Sequence, residues 1–120
     1  MAKILIIDDD PVVRTLLTDY LESQDHTILQ AETASDGIDS FSNNVVDIVL
    51  LDFQMPDSIG PEILKKIRAI DLDARVIMFS ANNNTNKLVE AEGIKADSYL
   101  HKPFELSFLL EEINSLIKSE

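Results

Sequence analysis

Five reactive side chains stand at the ends of short apolar runs in this chain of 120 residues. Asp8 and Asp9 follow Ile4-Leu5-Ile6-Ile7, Asp52 follows Val45–Leu51, Ser80 follows Val76–Phe79, and Lys102 comes just after Tyr99-Leu100. If these runs are parallel strands of one open sheet, three carboxylates, a hydroxyl and an ammonium group meet at its carboxyl edge, where such sheets bind ligands. Carboxylates gathered there repel, and a pair about 4 Å apart costs about 4 kcal/mol at an effective dielectric of about 20. A hard divalent cation relieves that repulsion. Mg²⁺ prefers oxygen ligands and is held by one or two carboxylates plus a phosphate, so Asp9 and Asp52 can serve as direct ligands. Asp8 can bind through water, and a backbone carbonyl near Gln54 can complete the set. Beside such a cation Asp52 is able to attack a phosphoryl group and form an acyl phosphate, a transfer that mostly needs alignment and charge neutralisation.

Each of these residues also has a plainer reading. Asp8-Asp9-Asp10 can be a solvated turn, Asp52 can merely mark a strand end, Ser80 can cap a helix, and Lys102 can be a loop lysine. Position separates the two readings, because the carboxyl ends of strands in open sheets aim side chains into the ligand crevice. Pro103 is able to fix the loop of Lys102, a cis peptide being one way. His26 and His101 read as surface or packing residues rather than a metal pair. With three glycines in the chain there is no glycine-rich phosphate loop, and nothing resembles a Ser-His-Asp arrangement.

The elements that must position these groups follow from the apolar pattern. Ile4–Ile7 is continuously apolar and β-branched, as in a strand covered on both faces. Asp10-Pro11 supplies an N-cap and a proline at the first helical position, opening a helix to about Ser23 with Val12, Val13, Leu16, Leu17, Tyr20 and Leu21 inward. Thr27–Glu32 is more mixed in polarity and reads as an edge strand. Ser35 is expected to cap a short helix carrying Ile38 and Phe41. Val45–Leu51 reads as the central strand, Pro61–Ile70 as a helix, and Arg75–Phe79 as the fourth strand. Asn82-Asn83-Asn84 reads as a mobile polar loop, followed by a helix capped by Thr85 that runs through Glu92 to a stop at Gly93. Ser98–Leu100 makes a fifth strand. The last helix spans about Glu105 to Ser119 and buries Leu106, Leu109, Leu110, Ile113, Leu116 and Ile117. Alternating strands and helices imply right-handed crossovers and an α/β domain with helices on both faces of a parallel sheet.

Composition narrows the function classes. Hydrophobic residues at 45% and charged residues at 27% are those of a globular domain, and the length suits one domain over residues 1–120. Twenty-two acidic against ten basic side chains give a net charge of -12. No cluster of Lys or Arg offers a nucleic-acid footprint. Without cysteine neither a disulfide frame nor a thiolate metal site is possible. No apolar run approaches the roughly 20 residues of a membrane span, and the N-terminus enters a strand at once, so a cytoplasmic protein is expected.

Taken together, four motifs resemble the receiver domain of bacterial two-component response regulators. They are Ile4–Pro11, Val49–Pro56 with Gly60, Phe79-Ser80-Ala81, and Tyr99–Phe104, in that order and at the family's intervals. The resemblance covers essentially the whole chain. It implies a flavodoxin-like, doubly wound five-stranded parallel sheet of order 2-1-3-4-5. It also implies that Asp52 accepts a phosphoryl group from a phosphohistidine on a sensor histidine kinase or phosphotransfer protein. Mg²⁺ would be held by Asp8, Asp9, Asp52 and the Gln54 carbonyl, with Lys102 and Ser80 on phosphoryl oxygens. Ser80 and Tyr99 would act as the switch, Tyr99 swinging from an exposed to a buried rotamer and altering the surface of helix four, strand five and helix five. The family commonly has glycine where this chain has Asp57, and Ser58-Ile59 replaces a hydrophobic-acidic pair before Gly60.

Two other readings compete. One is a receiver piece of a larger regulator or hybrid kinase; the other is a Mg²⁺-dependent phosphohydrolase of small molecules. The second finds no acid one turn beyond Asp52 and no cap domain, so turnover of a small-molecule substrate is not expected. A monomer is the default, since Lys118 is the only basic residue of the last helix, and phosphorylation-dependent pairing stays open.

Overall fold

The computed structural model describes residues 1–118. Its five strands are β1 (Lys3–Ile7), β2 (Thr27–Ala31), β3 (Ile48–Asp52), β4 (Val76–Ser80) and β5 (Ser98–His101). They alternate with helices α1 (Pro11–Ser23), α2 (Ala34–Asn43), α3 (Gly60–Ile70), α4 (Thr85–Glu90) and α5 (Leu106–Lys118). All strand pairings are parallel, and the order is β2-β1-β3-β4-β5. The flavodoxin-like α/β topology is therefore the expected one, with the mixed-polarity strand β2 at an edge.

Two apolar layers flank the sheet. Side chains alternate across a strand, so Ile4 and Ile6 join Leu17, Leu21, Leu109 and Ile113 of α1 and α5. Leu5 and Ile7 face the other way, onto Phe41 of α2, Ile63, Leu64 and Ile67 of α3, and Val89 of α4. Both central strands β3 and β4 are buried along their whole length. That double coverage explains their unbroken apolar runs and fixes the register by which Asp52 lies opposite Phe79 and Ser80 opposite His101.

Several local expectations are corrected. Val45 is 84% exposed and precedes the strand, which starts at Ile48; Asp47 takes the Lys3 N–H on its carboxylate at 2.8 Å and holds β3 beside β1. Val12 and Leu16 of α1 face solvent, since Val13, Leu17 and Leu21 already fill the arc toward the sheet. Thr33, not Ser35, caps α2 by accepting the Asp36 N–H at 3.0 Å. Thr85 is the first residue of α4 rather than its cap; its hydroxyl donates to the Asn82 carbonyl at 2.9 Å. The helix stops at Glu90, short of Glu92, and Gly93 follows with φ +80°. In α5, Leu109 and Ile113 are buried, whereas Leu106, Leu110, Leu116 and Ile117 are partly exposed. The expected last residue of that helix, Ser119, lies outside the described residues.

Candidate functional site

The loops leaving β1, β3, β4 and β5 converge on one cleft of about 690 Å³ at the carboxyl edge of the sheet. Asp8 and Asp9 follow the last residue of β1, Asp52 ends β3, Ser80 ends β4, and Lys102 follows β5. Asp9, Asp52, Gln54, Ser80 and Lys102 all line the cleft. Asp8 is fully buried beneath it. One carboxylate oxygen from each of Asp8, Asp9 and Asp52 lies within 4.8 Å of the other two.

Lys102 answers this negative charge. Its Nζ donates to Asp52 Oδ2 at 3.2 Å and to Asp8 Oδ2 at 3.5 Å, and it stands 5.2 Å from the centre of the Phe79 ring. The Lys102-Pro103 peptide is cis. One ammonium against three carboxylates leaves the cleft strongly negative. Burial, and then the charge of Asp8, push the Asp52 carboxyl above its ordinary range; Lys102 and the Gln54 N–H pull the other way.

Backbone amides and caps hold the acids in place. Asp8 Oδ1 accepts the Asp10 N–H at 2.9 Å, and Asp10 in turn caps α1 through the Val12 N–H at 2.9 Å. Asp52 Oδ1 accepts the Gln54 N–H at 3.3 Å. Ser80 Oγ accepts the Asn82 N–H at 2.9 Å, and Asn82 Oδ1 accepts from Asn84, so the polar run folds into consecutive hydrogen-bonded turns. Tyr99 sits outside the acid cleft, half-buried, its hydroxyl oxygen accepting the Ala96 N–H at 2.8 Å. It lines a separate depression of about 310 Å³ with Asn82, Thr85 and His101.

Two neighbours of the site are not assigned a role by the sequence alone. Arg14 donates from Nη1 to the Asp8 carbonyl at 2.7 Å and lies 3.9 Å from Glu32; its signal was its place one turn after the Asp10 cap. Asp57 reaches from the β3–α3 loop to the start of α2, accepting the Ala34 and Ser35 N–H groups at 2.8 and 3.0 Å. Its signal was an acid where glycine is common. His26 and His101 lie apart from the cleft, as their plain reading requires.

A parallel sheet of this order, with ligand-type side chains at its carboxyl edge, defines a doubly wound, flavodoxin-like binding domain. The chain belongs to the response regulator receiver domain family, whose model matches residues 4–114. It is similar to the chemotaxis protein CheY of Bacillus subtilis (strain 168), 31% identical over 116 residues that cover 96% of this chain and 97% of that protein. Response regulator MprA of Mycobacterium sp. (strain KMS) is 31% identical over 117 residues, 98% of this chain but 51% of its own length, so the chain spans about half of that relative. Among solved structures, response regulator protein TrrA from Thermotoga maritima, in complex with Mg(2+)-BeF, superposes with a TM-score of 0.87 at 32% identity, covering 97% of this chain and 99% of that one. Receiver domains are signalling domains of two-component systems. Among the described residues no helix is long and apolar enough to cross a membrane.

Proposed function

We propose that this receiver is a phosphorylation switch in which Asp52 takes a phosphoryl group from a phosphohistidine on a sensor histidine kinase or phosphotransfer protein. The observation that carries the reading is the meeting of three carboxylates within 4.8 Å beside the single ammonium of Lys102. Such a donor set is all hard oxygen, which fits Mg²⁺. Asp8, Asp9, Asp52 and the Gln54 carbonyl would hold that ion, which when bound supplies charge neutralisation to the cleft and to an incoming phosphoryl group.

In the transfer an oxygen of Asp52 attacks phosphorus in line with the leaving imidazole. The P–O bond forms as the P–N bond breaks, and the imidazole nitrogen keeps the electron pair and then takes a proton. Lys102, already on Asp52, moves its hydrogen bond onto a phosphoryl oxygen and offsets the new charge. Ser80 Oγ spends a lone pair on the Asn82 N–H, which leaves its own O–H to donate to another phosphoryl oxygen. Drawing Ser80 inward frees room beside Tyr99, whose turn to a buried rotamer changes the surface of α4, β5 and α5.

On this reading residues 1–120 form one cytoplasmic receiver domain, monomeric before phosphorylation, that turns over no small-molecule substrate. A second reading, that the receiver is one part of a longer regulator, is favoured by its spanning half of MprA. A histidine-phosphorylated donor and Mg²⁺ test the switch. The wild type is expected to gain one phosphoryl group by intact mass and Asp52→Asn none; a labelled Asp52→Asn or an unlabelled wild type would contradict it.

A further inference from the structure

Loop 53–59, between β3 and α3, runs along the acid cleft and is closed by its own backbone. The Gly60 N–H donates to the Phe53 carbonyl at 2.6 Å and the Met55 N–H to the Ser58 carbonyl at 3.1 Å, forming an antiparallel bridge between Gln54 and Ile59. Those two bonds flank Gln54 and leave its carbonyl outside the pair. Between the two bridge residues, the Asp57 side chain reaches out of the loop. Its two carboxylate oxygens separately take the Ala34 and Ser35 N–H groups at the first turn of α2, donors that have no intrahelical partner. The helix already has a local cap in Thr33, which takes the Asp36 N–H. Asp57 is therefore a second cap, supplied from 22 residues away.

That bond closes a ring around the acids. Asp8 donates its N–H to the Ala31 carbonyl at the end of β2, and α2 starts at Ala34, with only Glu32 and Thr33 between. Asp57 then joins α2 to the loop, Gln54 donates to Asp52, and Lys102 bridges Asp52 back to Asp8. With glycine at position 57 the ring would be open between α2 and the loop.

We propose that Asp57 is a positioning residue of the acid cleft: by clamping loop 53–59 to α2 it holds the Gln54 carbonyl beside Asp52 and so sets the affinity for Mg²⁺. The clamp rests on the reading that Mg²⁺ binds Asp8, Asp9, Asp52 and Gln54. Its two amide bonds also keep the Asp57 carboxyl below its usual range, so the clamp stays charged at neutral pH.

Asp57→Ala, Asp57→Asn and Thr33→Ala separate positioning from plain helix capping. Mg²⁺ titrated into each protein, followed by calorimetry and by the Gln54 amide resonance, is expected to bind Asp57→Ala about tenfold more weakly than the wild type, the lower end of what outer-shell partners give. Asp57→Asn keeps one acceptor oxygen and recovers part of the loss. Thr33→Ala weakens α2 but leaves the Mg²⁺ affinity unchanged. Hydrogen exchange at Gln54 and Met55 without metal is expected to quicken in Asp57→Ala alone. An unchanged affinity in Asp57→Ala, or an equal loss in Thr33→Ala, overturns the clamp while the Mg²⁺ reading stands. A wild type that binds no Mg²⁺ overturns both.

Discussion

Asp52 and His26 are both buried titratable side chains, and their surroundings decide their different roles. Burial and then the charge of Asp8 disfavour the Asp52 carboxylate, and Lys102 with the Gln54 N–H offsets only part of that, an arrangement that favours a bound cation over the bare acid. His26 is 8% exposed, and its Nδ1 accepts the Ala2 N–H at 3.0 Å, which only a neutral ring can do. Burial first, then the N-terminal ammonium, push its pKa down, against a smaller pull from Asp25. A histidine with a depressed folded pKa leaves stability intact above its unfolded value of about 6.5. As pH falls below that value the unfolded chain takes up the proton first, so stability declines until the folded pKa is passed. Urea denaturation across this window is expected to show that decline in the wild type and a flatter profile in His26→Gln; equal slopes would contradict it. The sequence alone could place His26 between a helix and a strand, but not show that its ring faces the Ala2 amide.

At the scale of elements, the caps carry the clearest prediction. Thr33 accepts the Asp36 N–H, whereas Ser35 lies exposed inside the first turn with its amide taken by Asp57. Thr33→Ala is expected to cost about 1 kcal/mol in urea unfolding, and Ser35→Ala less than about 0.5 kcal/mol. The reverse order would show that α2 starts elsewhere. Strand identities and order were legible because double burial writes an unbroken apolar run, and β2 betrayed its edge by its mixed polarity. Boundaries were less so. Val45 looks like strand by residue type, yet nothing covers it until Asp47 has fastened β3 to Lys3. Val12 and Leu16 share the apolar character of the α1 stripe, and only the width of the sheet-facing arc tells which of the six stay dry. The Asp57 bond to α2 could not be read locally, since its partners are 22 and 23 residues away.

Across the whole molecule, the order of the strands does what no single motif can. It brings the ends of β1, β3, β4 and β5 to one cleft, so residues separated by as many as 94 positions share hydrogen bonds there. A net charge of -12 on 120 residues adds self-repulsion to the fold, and the acid cleft concentrates part of it at one edge. On the proposed function, this concentration serves a cation that readies Asp52 for attack on phosphorus. Intact-mass measurement after incubation with acetyl phosphate tests it most directly. With Mg²⁺ one added phosphoryl group is expected in the wild type, lost in Asp52→Asn and lost when EDTA replaces the metal. Equal labelling with and without Mg²⁺, or labelling that survives Asp52→Asn, would contradict it.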